Sequence, residues 1–139
     1  MTQARVALQF DPSRSHIVRS PAGPGYGNWV GGKVWHDSIR DIFVLFYRVR
    51  RPLEHGRAGL CGIAVSTDGL HFDDVWTATK DDFNANSIEE GHAVWFDDRW
   101  MLYVSYEIKG TSTWRIDLLE TDDLADLDTQ GRRTVLSPG

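Results

Sequence analysis

A strand, a tight polar turn and a second strand occur twice in this chain, and that recurrence constrains its fold more than any other feature. The first copy runs from Gly31 to Tyr47 and the second from Ser87 to Tyr106, about sixty residues further on. Val34-Trp35 falls on Val94-Trp95, and Tyr47 on Tyr106. In the first copy Trp29 to His36 reads as a strand and Asp37 to Asp41 as a turn. Ile42 to Val49 follows, an apolar, β-branched and aromatic run of the kind buried on both faces. Leu60 to Ser66 and His71 to Trp76 then read as strands either side of a Thr67-Asp68-Gly69 turn. The second copy repeats the scheme with strands at Gly91 to Phe96, Trp100 to Tyr106, Trp114 to Glu120 and Arg133 to Leu136. Its hairpin turn is Asp97-Asp98-Arg99, and Thr121-Asp122-Asp123 takes the place of Thr67-Asp68-Gly69. Each copy is thus a four-stranded antiparallel meander, and the expected fold class is all-β.

Four-stranded units at this spacing are the mark of a β-propeller. With 139 residues the chain has room for one domain. It divides into an N-terminal segment with a Gly/Pro-rich loop (1–28), a first blade (29–76) and a second (87–136). Thr77 to Asn86 reads as a polar connection, and Asp122 to Asp128 as a short helical turn. Two blades leave strand edges and a lateral sheet face uncovered, so the chain reads as part of a larger propeller or as one copy in a self-associating assembly. Within the N-terminal segment, Arg5 to Phe10 and His16 to Arg19 are candidate short strands, the first ended by Asp11-Pro12.

Charge excludes some partners. Fifteen basic and 20 acidic side chains give a net −5, without the basic footprint that nucleic acid or an anionic membrane surface requires. Cys61 is the single cysteine, so no internal disulfide forms; with no signal-peptide pattern and no apolar membrane-length run, the expected location is cytoplasmic. Gly23, Gly25 and Gly27 match neither the dinucleotide nor the Walker spacing, and a strand follows where a phosphate loop needs a helix. No His, Cys or carboxylate spacing suggests a metal, and the Asp pairs 73/74, 97/98 and 122/123 read as turn chemistry. No cofactor is expected. There is no nucleophile elbow around a serine, and Cys61 lies in an apolar strand.

The strands "FVLFYR" and "MLYVSY", with Cys61-Gly-Ile-Ala-Val-Ser-Thr-Asp-Gly-Leu-His-Phe72, resemble the five-bladed propeller glycosidases, the clan around glycoside hydrolase families 43, 32 and 130. The likeness covers residues 29–136. The Thr67-Asp68-Gly69 element is one residue shorter than the Asp box of sialidases. The resemblance implies two four-stranded blades of a five-bladed propeller, a carbohydrate substrate or ligand, and catalysis by carboxylates at the start of funnel-lining strands. Such propellers set a general acid in an E-G-P or E-D-P context, and Glu89-Glu90-Gly91 takes that place here, with Gly91 where the family has Pro. Glu89 falls on the acid position, with Glu90 beside it. A carboxyl desolvated in a funnel near a second carboxylate is expected to have a raised pKa.

Glycosidic cleavage takes two carboxylates, and the position matched to Glu89 in the upstream copy is Trp29. The second acid is then Asp11 or lies in blades beyond these two, Asp37 and Asp41 being turn residues. Asn28 and Trp29 can bind a sugar by hydrogen bond and ring stacking, and Glu89 is expected to approach both across the interface between the copies. Arg48, Arg50 and Arg51 can clamp a carboxylate or phosphate, or stand as solvated cations; Arg48 joins His36 and His92 among the candidate substrate contacts. The histidines, one residue apart in register between the copies, equally suit structural hydrogen bonds. Trp35, Trp95, Trp100 and Trp114 are sugar platforms or packing residues. Two readings of different class result: a glycoside hydrolase or phosphorylase using Glu89, or a non-catalytic glycan- or protein-binding module.

Overall fold

The computed structural model describes residues 11–20, 29–51, 54 and 59–139, with Trp29 given by its backbone only. The expected strand at Arg5 to Phe10, most of the Gly/Pro-rich loop and Asn28 lie outside the described residues. Eight strands form two four-stranded antiparallel sheets, ordered β1-β2-β3-β4 and β5-β6-β7-β8. The first comprises β1 (Trp29–Asp37), β2 (Ile42–Arg50), β3 (Leu60–Ser66) and β4 (Asp73–Thr79). The second comprises β5 (Ala85–Phe96), β6 (Arg99–Ile108), β7 (Trp114–Thr121) and β8 (Arg133–Leu136). Both meanders expected from the sequence are present, and a 3-10 turn at Leu124–Asp126 fills the expected helical turn.

The central strand β2 shows why an unbroken apolar run was needed. Val44 and Phe46 join the main core with Cys61 and Ile63 of β3 and Ile88, Leu102, Val104, Tyr106 and Leu119 of the second sheet. Leu45 and Tyr47, pointing the other way, form a smaller cluster with Ala64. One shared core therefore joins the sheets face to face. At Gly91 the two approach so closely that an added Cβ would lie 2.4 Å from the Phe46 ring, which only glycine permits. The β5–β6 hairpin turns through Asp97 and Asp98, both at positive φ (51° and 59°), as a type I′ connection demands.

Three expected elements differ. His16 to Arg19 is not a strand; it follows a 3-10 turn at Pro12–Arg14. Arg19 lies 4.0 Å from the Tyr47 ring centroid and bonds the Tyr47 hydroxyl and Asp74. The fourth strand starts at Asp73, because Asp68 accepts the backbone N–H groups of Leu70 and His71 and holds them in the turn. β5 begins at Ala85, six residues before Gly91, and its register shifts twice, between Ala85 and Ser87 and between Ile88 and Glu90. Those bulges break the alternation that would have marked residues 85–90 as strand.

The registers also revise how the copies correspond. Tyr47 pairs with Gly32 and Tyr106 with Ile88, so Gly32 and Ile88 are counterparts. Counting along the ladders, Gly31 matches Ser87, Lys33 matches Glu90 and Trp35 matches His92. Val34-Trp35 and Val94-Trp95 are not equivalent: Trp35 pairs with Val44, three residues before Tyr47, whereas Trp95 pairs with Trp100, six before Tyr106. Glu89 is the extra residue of a bulge and has no counterpart in β1, so its match to Trp29 does not hold.

Candidate functional site

Glu89 is positioned by the bulge that sequence alignment had hidden. A bulged residue leaves the ladder and its side chain is re-aimed. Here the carboxylate crosses the gap between the sheets to Arg48 of β2, and its other oxygen accepts the Ser87 hydroxyl at 3.0 Å. The Arg48 and Glu89 side chains are 16% and 20% exposed, so the ion pair is largely withdrawn from water. Burial pushes the Glu89 carboxyl up, but the Arg48 and Ser87 hydrogen bonds and the charges of Arg48 and Arg50 outweigh it. The group is held below the usual carboxylate range. That reverses the expected upward shift: the cation, not a second acid, dominates its surroundings.

Beside this pair the edge strands β1 and β5 carry a second set of candidates. Glu90 is half-exposed and pairs with Lys33 at 2.9 Å. His92 meets Trp35 edge to face, ring centroids 5.7 Å apart. Lys33, Glu90, His92, Tyr103, Ser105 and Ile116 help line a shallow concavity of about 150 Å³. Glu89, Glu90, Arg48 and His92 are thus gathered on one region of β2 and β5, with Lys33 and Trp35 added from β1.

His36 is not part of it. It pairs in register with Phe43 at the turn end of β1, stacks on that ring at 4.6 Å and reaches Asp41 at 3.1 Å. Five residues of strand, roughly 16 Å, separate it from Gly31, the residue opposite Arg48. Asp11 is exposed and caps the Pro12–Arg14 turn through Ser13. Trp95 and Trp100 are packing residues, and the Arg40 guanidinium lies 3.5 Å from the Trp95 ring centroid. Trp35 and Trp114 keep more than a third of their surface exposed.

Two residues at this site escaped sequence reading. Ser87 is fully buried and fixes one oxygen of Glu89. Glu107, 8% exposed on β6, is the direct cross-strand partner of Ser87. A carboxylate that near the end of a strand has no sequence signal of its own; a buried rung beside a bulge is visible only in the folded ladder.

Among the described residues no grouping of His, Cys, Asp and Glu could hold a metal ion, and no helix is long and apolar enough to cross a membrane. No protein-family model, curated protein or solved structure matches the chain. The reading of this site therefore rests on its own chemistry.

Proposed function

We propose that the chain is a carbohydrate-active protein of glycoside hydrolase type, its two sheets being neighbouring blades of a propeller and its site lying along β1 and β5. The observation that carries this is the Glu89 bulge, which sets a positioned, ionised carboxylate beside basic and aromatic groups at a sheet edge. The blade arrangement is supported by the pairing of counterparts: Lys33 contacts Glu90 and Trp35 contacts His92, as matching residues on adjacent inner strands of a propeller would.

Trp35, His92 and Tyr103 offer ring faces and edges to a sugar, and Lys33 and Glu90 offer hydrogen bonds to its hydroxyls. Held ionised, Glu89 suits proton acceptance or nucleophilic attack better than the general-acid role its sequence context implies. The same Arg48 contact favours the alternative of a glycan-binding module without turnover, since a carboxylate already neutralised by arginine is also a good structural strut.

A panel of aryl glycosides, assayed with the wild type and Glu89→Gln, separates these readings. Turnover that falls by roughly 10²-fold or more in the variant supports the hydrolase. Saturable oligosaccharide binding by calorimetry without turnover supports the module, and neither binding nor turnover removes carbohydrate from consideration.

A further inference from the structure

The stacking of the two sheets leaves an equivalent pair of faces open. Within the chain, the Phe46 ring of β2 sits against Gly91 of β5, and Cys61 and Ile63 of β3 are fully buried on the same face. Counting along the ladders from Tyr47 and Tyr106, Ser105, Trp114 and Ile116 hold the positions of Phe46, Cys61 and Ile63 in the second sheet. Ser105 follows the core residue Val104 and pairs with Ile116, so these three face away from the first sheet. Trp114 and Leu136 stay 38% and 62% exposed there, beside a concavity of about 400 Å³ that Ser105 and Ile116 help line. The counterpart of Gly91 in the first sheet is Val34, each pairing two residues before its tyrosine. Val34 lies opposite Leu45, on the face turned from the second sheet, and is 51% exposed. Projection and hollow are therefore exchanged: a ring meets glycine inside the chain, while a serine recess and a projecting valine remain on its two outer faces.

The contacts between counterparts add charge complementarity. Lys33 meets Glu90 and Trp35 meets His92 within the chain, and the members of each pair are counterparts of one another. A second copy stacked in the same sense on the second sheet brings its own Lys33 to Glu90 and its own Trp35 to His92. Opposite charges meet again, and both Lys33 and Glu90 keep about half of their side-chain surface for a further partner. We infer that the outer face of the second sheet docks the outer face of the first sheet of another copy of this chain, head to tail. Arg19 covers the Tyr47 end of that first-sheet face, and Val34, two residues along β1 from the Tyr47 rung, stays open. Such an interface is heterologous, so each added copy presents one free face of each kind until a ring closes. The inference stands apart from the carbohydrate reading, because its test reads mass and not turnover.

Sedimentation of the wild type over a rising concentration series should show a mass above that of one chain. Ser105→Arg fills the recess and Val34→Arg blocks the projecting side. Each variant should be a folded monomer by circular dichroism and sedimentation. Mixed, they should form a one-to-one heterodimer, since Ser105→Arg keeps its first-sheet face and Val34→Arg its second-sheet face. A wild type that stays monomeric at millimolar concentration overturns the proposal. So does a mixture that stays monomeric, or a Val34→Arg variant that still dimerises alone, which would mean that second sheets pair with each other. If Ser105→Arg fails to fold, Leu136→Glu on the same exposed face takes its place with the same expected outcomes.

Discussion

At the scale of single residues, the chain places charge where burial would forbid it unless a partner stood ready. Glu89 is the clearest case, because a bulge moves it out of the ladder and Arg48 meets it from the other sheet. Its lowered pKa makes the ion pair a source of stability that is fully present above the unfolded-state pKa. That stability is lost as pH falls through the folded-state value. Replacing Arg48 by Gln removes the cation and leaves a partly buried carboxylate. The Glu89 midpoint, followed by side-chain carbon NMR, should rise, and neutral-pH stability in urea should fall by about 2 kcal/mol. An unchanged midpoint would show that Arg48 does not control this carboxylate. The repeat itself uses tyrosine hydroxyls in a comparable way. Tyr47 is held by Arg19, and Tyr106 by Asp117 and Arg115. Burial first, and then Asp74, push the Tyr47 phenol up to about 12, so it stays protonated throughout the physiological range.

At the scale of elements, β5 is the strand that differs from its counterpart, and both differences are single inserted residues. Glu89 is one; Asn86 is the other. The Asn86 side chain donates to the carbonyls of Ile108 and Thr111 at 3.3 and 3.0 Å and accepts the Gly110 N–H at 3.2 Å. It holds the β6–β7 loop, whose Gly110 sits at φ 76°, against the start of β5. Asn86→Ala should cost about 1–2 kcal/mol and speed hydrogen exchange at the Gly110 amide, with the rest of β6 unaffected. Unaltered exchange in the loop would mean its own turn, with the Thr111 hydroxyl donating to the Ile108 carbonyl and bonded to the Thr113 hydroxyl, is sufficient. The first hairpin has a different device. Asp37 accepts the Ile39 and Arg40 amides, and Arg40 then lies over Trp95 of the second hairpin, tying turn to turn.

At the scale of the whole molecule, the core belongs to both sheets at once. Val44 and Phe46 of the first pack with Ile88, Leu102 and Val104 of the second, so the main core is shared and only the small Leu45–Tyr47–Ala64 cluster belongs to the first sheet alone. Unfolding should therefore be one cooperative transition, with tryptophan fluorescence and far-ultraviolet circular dichroism coinciding. Cys61 gives a third probe. It is fully buried in that core, and burial pushes its thiol up to about 12, leaving almost no thiolate at neutral pH. Its alkylation should follow the same transition in denaturant and be negligible before it. Reaction at lower denaturant than the loss of strand signal would show that the first sheet opens separately.

Much of this was determined by the sequence alone, because it is local. Alternating or continuous apolar runs and Asp- and Gly-containing turns specify their strands and hairpins residue by residue, and β1, β2, β3, β6, β7 and β8 stand close to where those signals put them. Tertiary structure decided what depends on pairing across the chain. The two bulges of β5 erase the period that would have revealed residues 85–90 and make the copies correspond differently from the way their tryptophans suggest. The sign of the Glu89 shift needed Arg48, 41 residues away in sequence, to be brought across the gap between the sheets. The burial of Ser87 and Glu107 needed the ladder that sets them opposite each other. Strand and turn preferences are properties of neighbouring residues. A carboxylate's surroundings are a property of the fold.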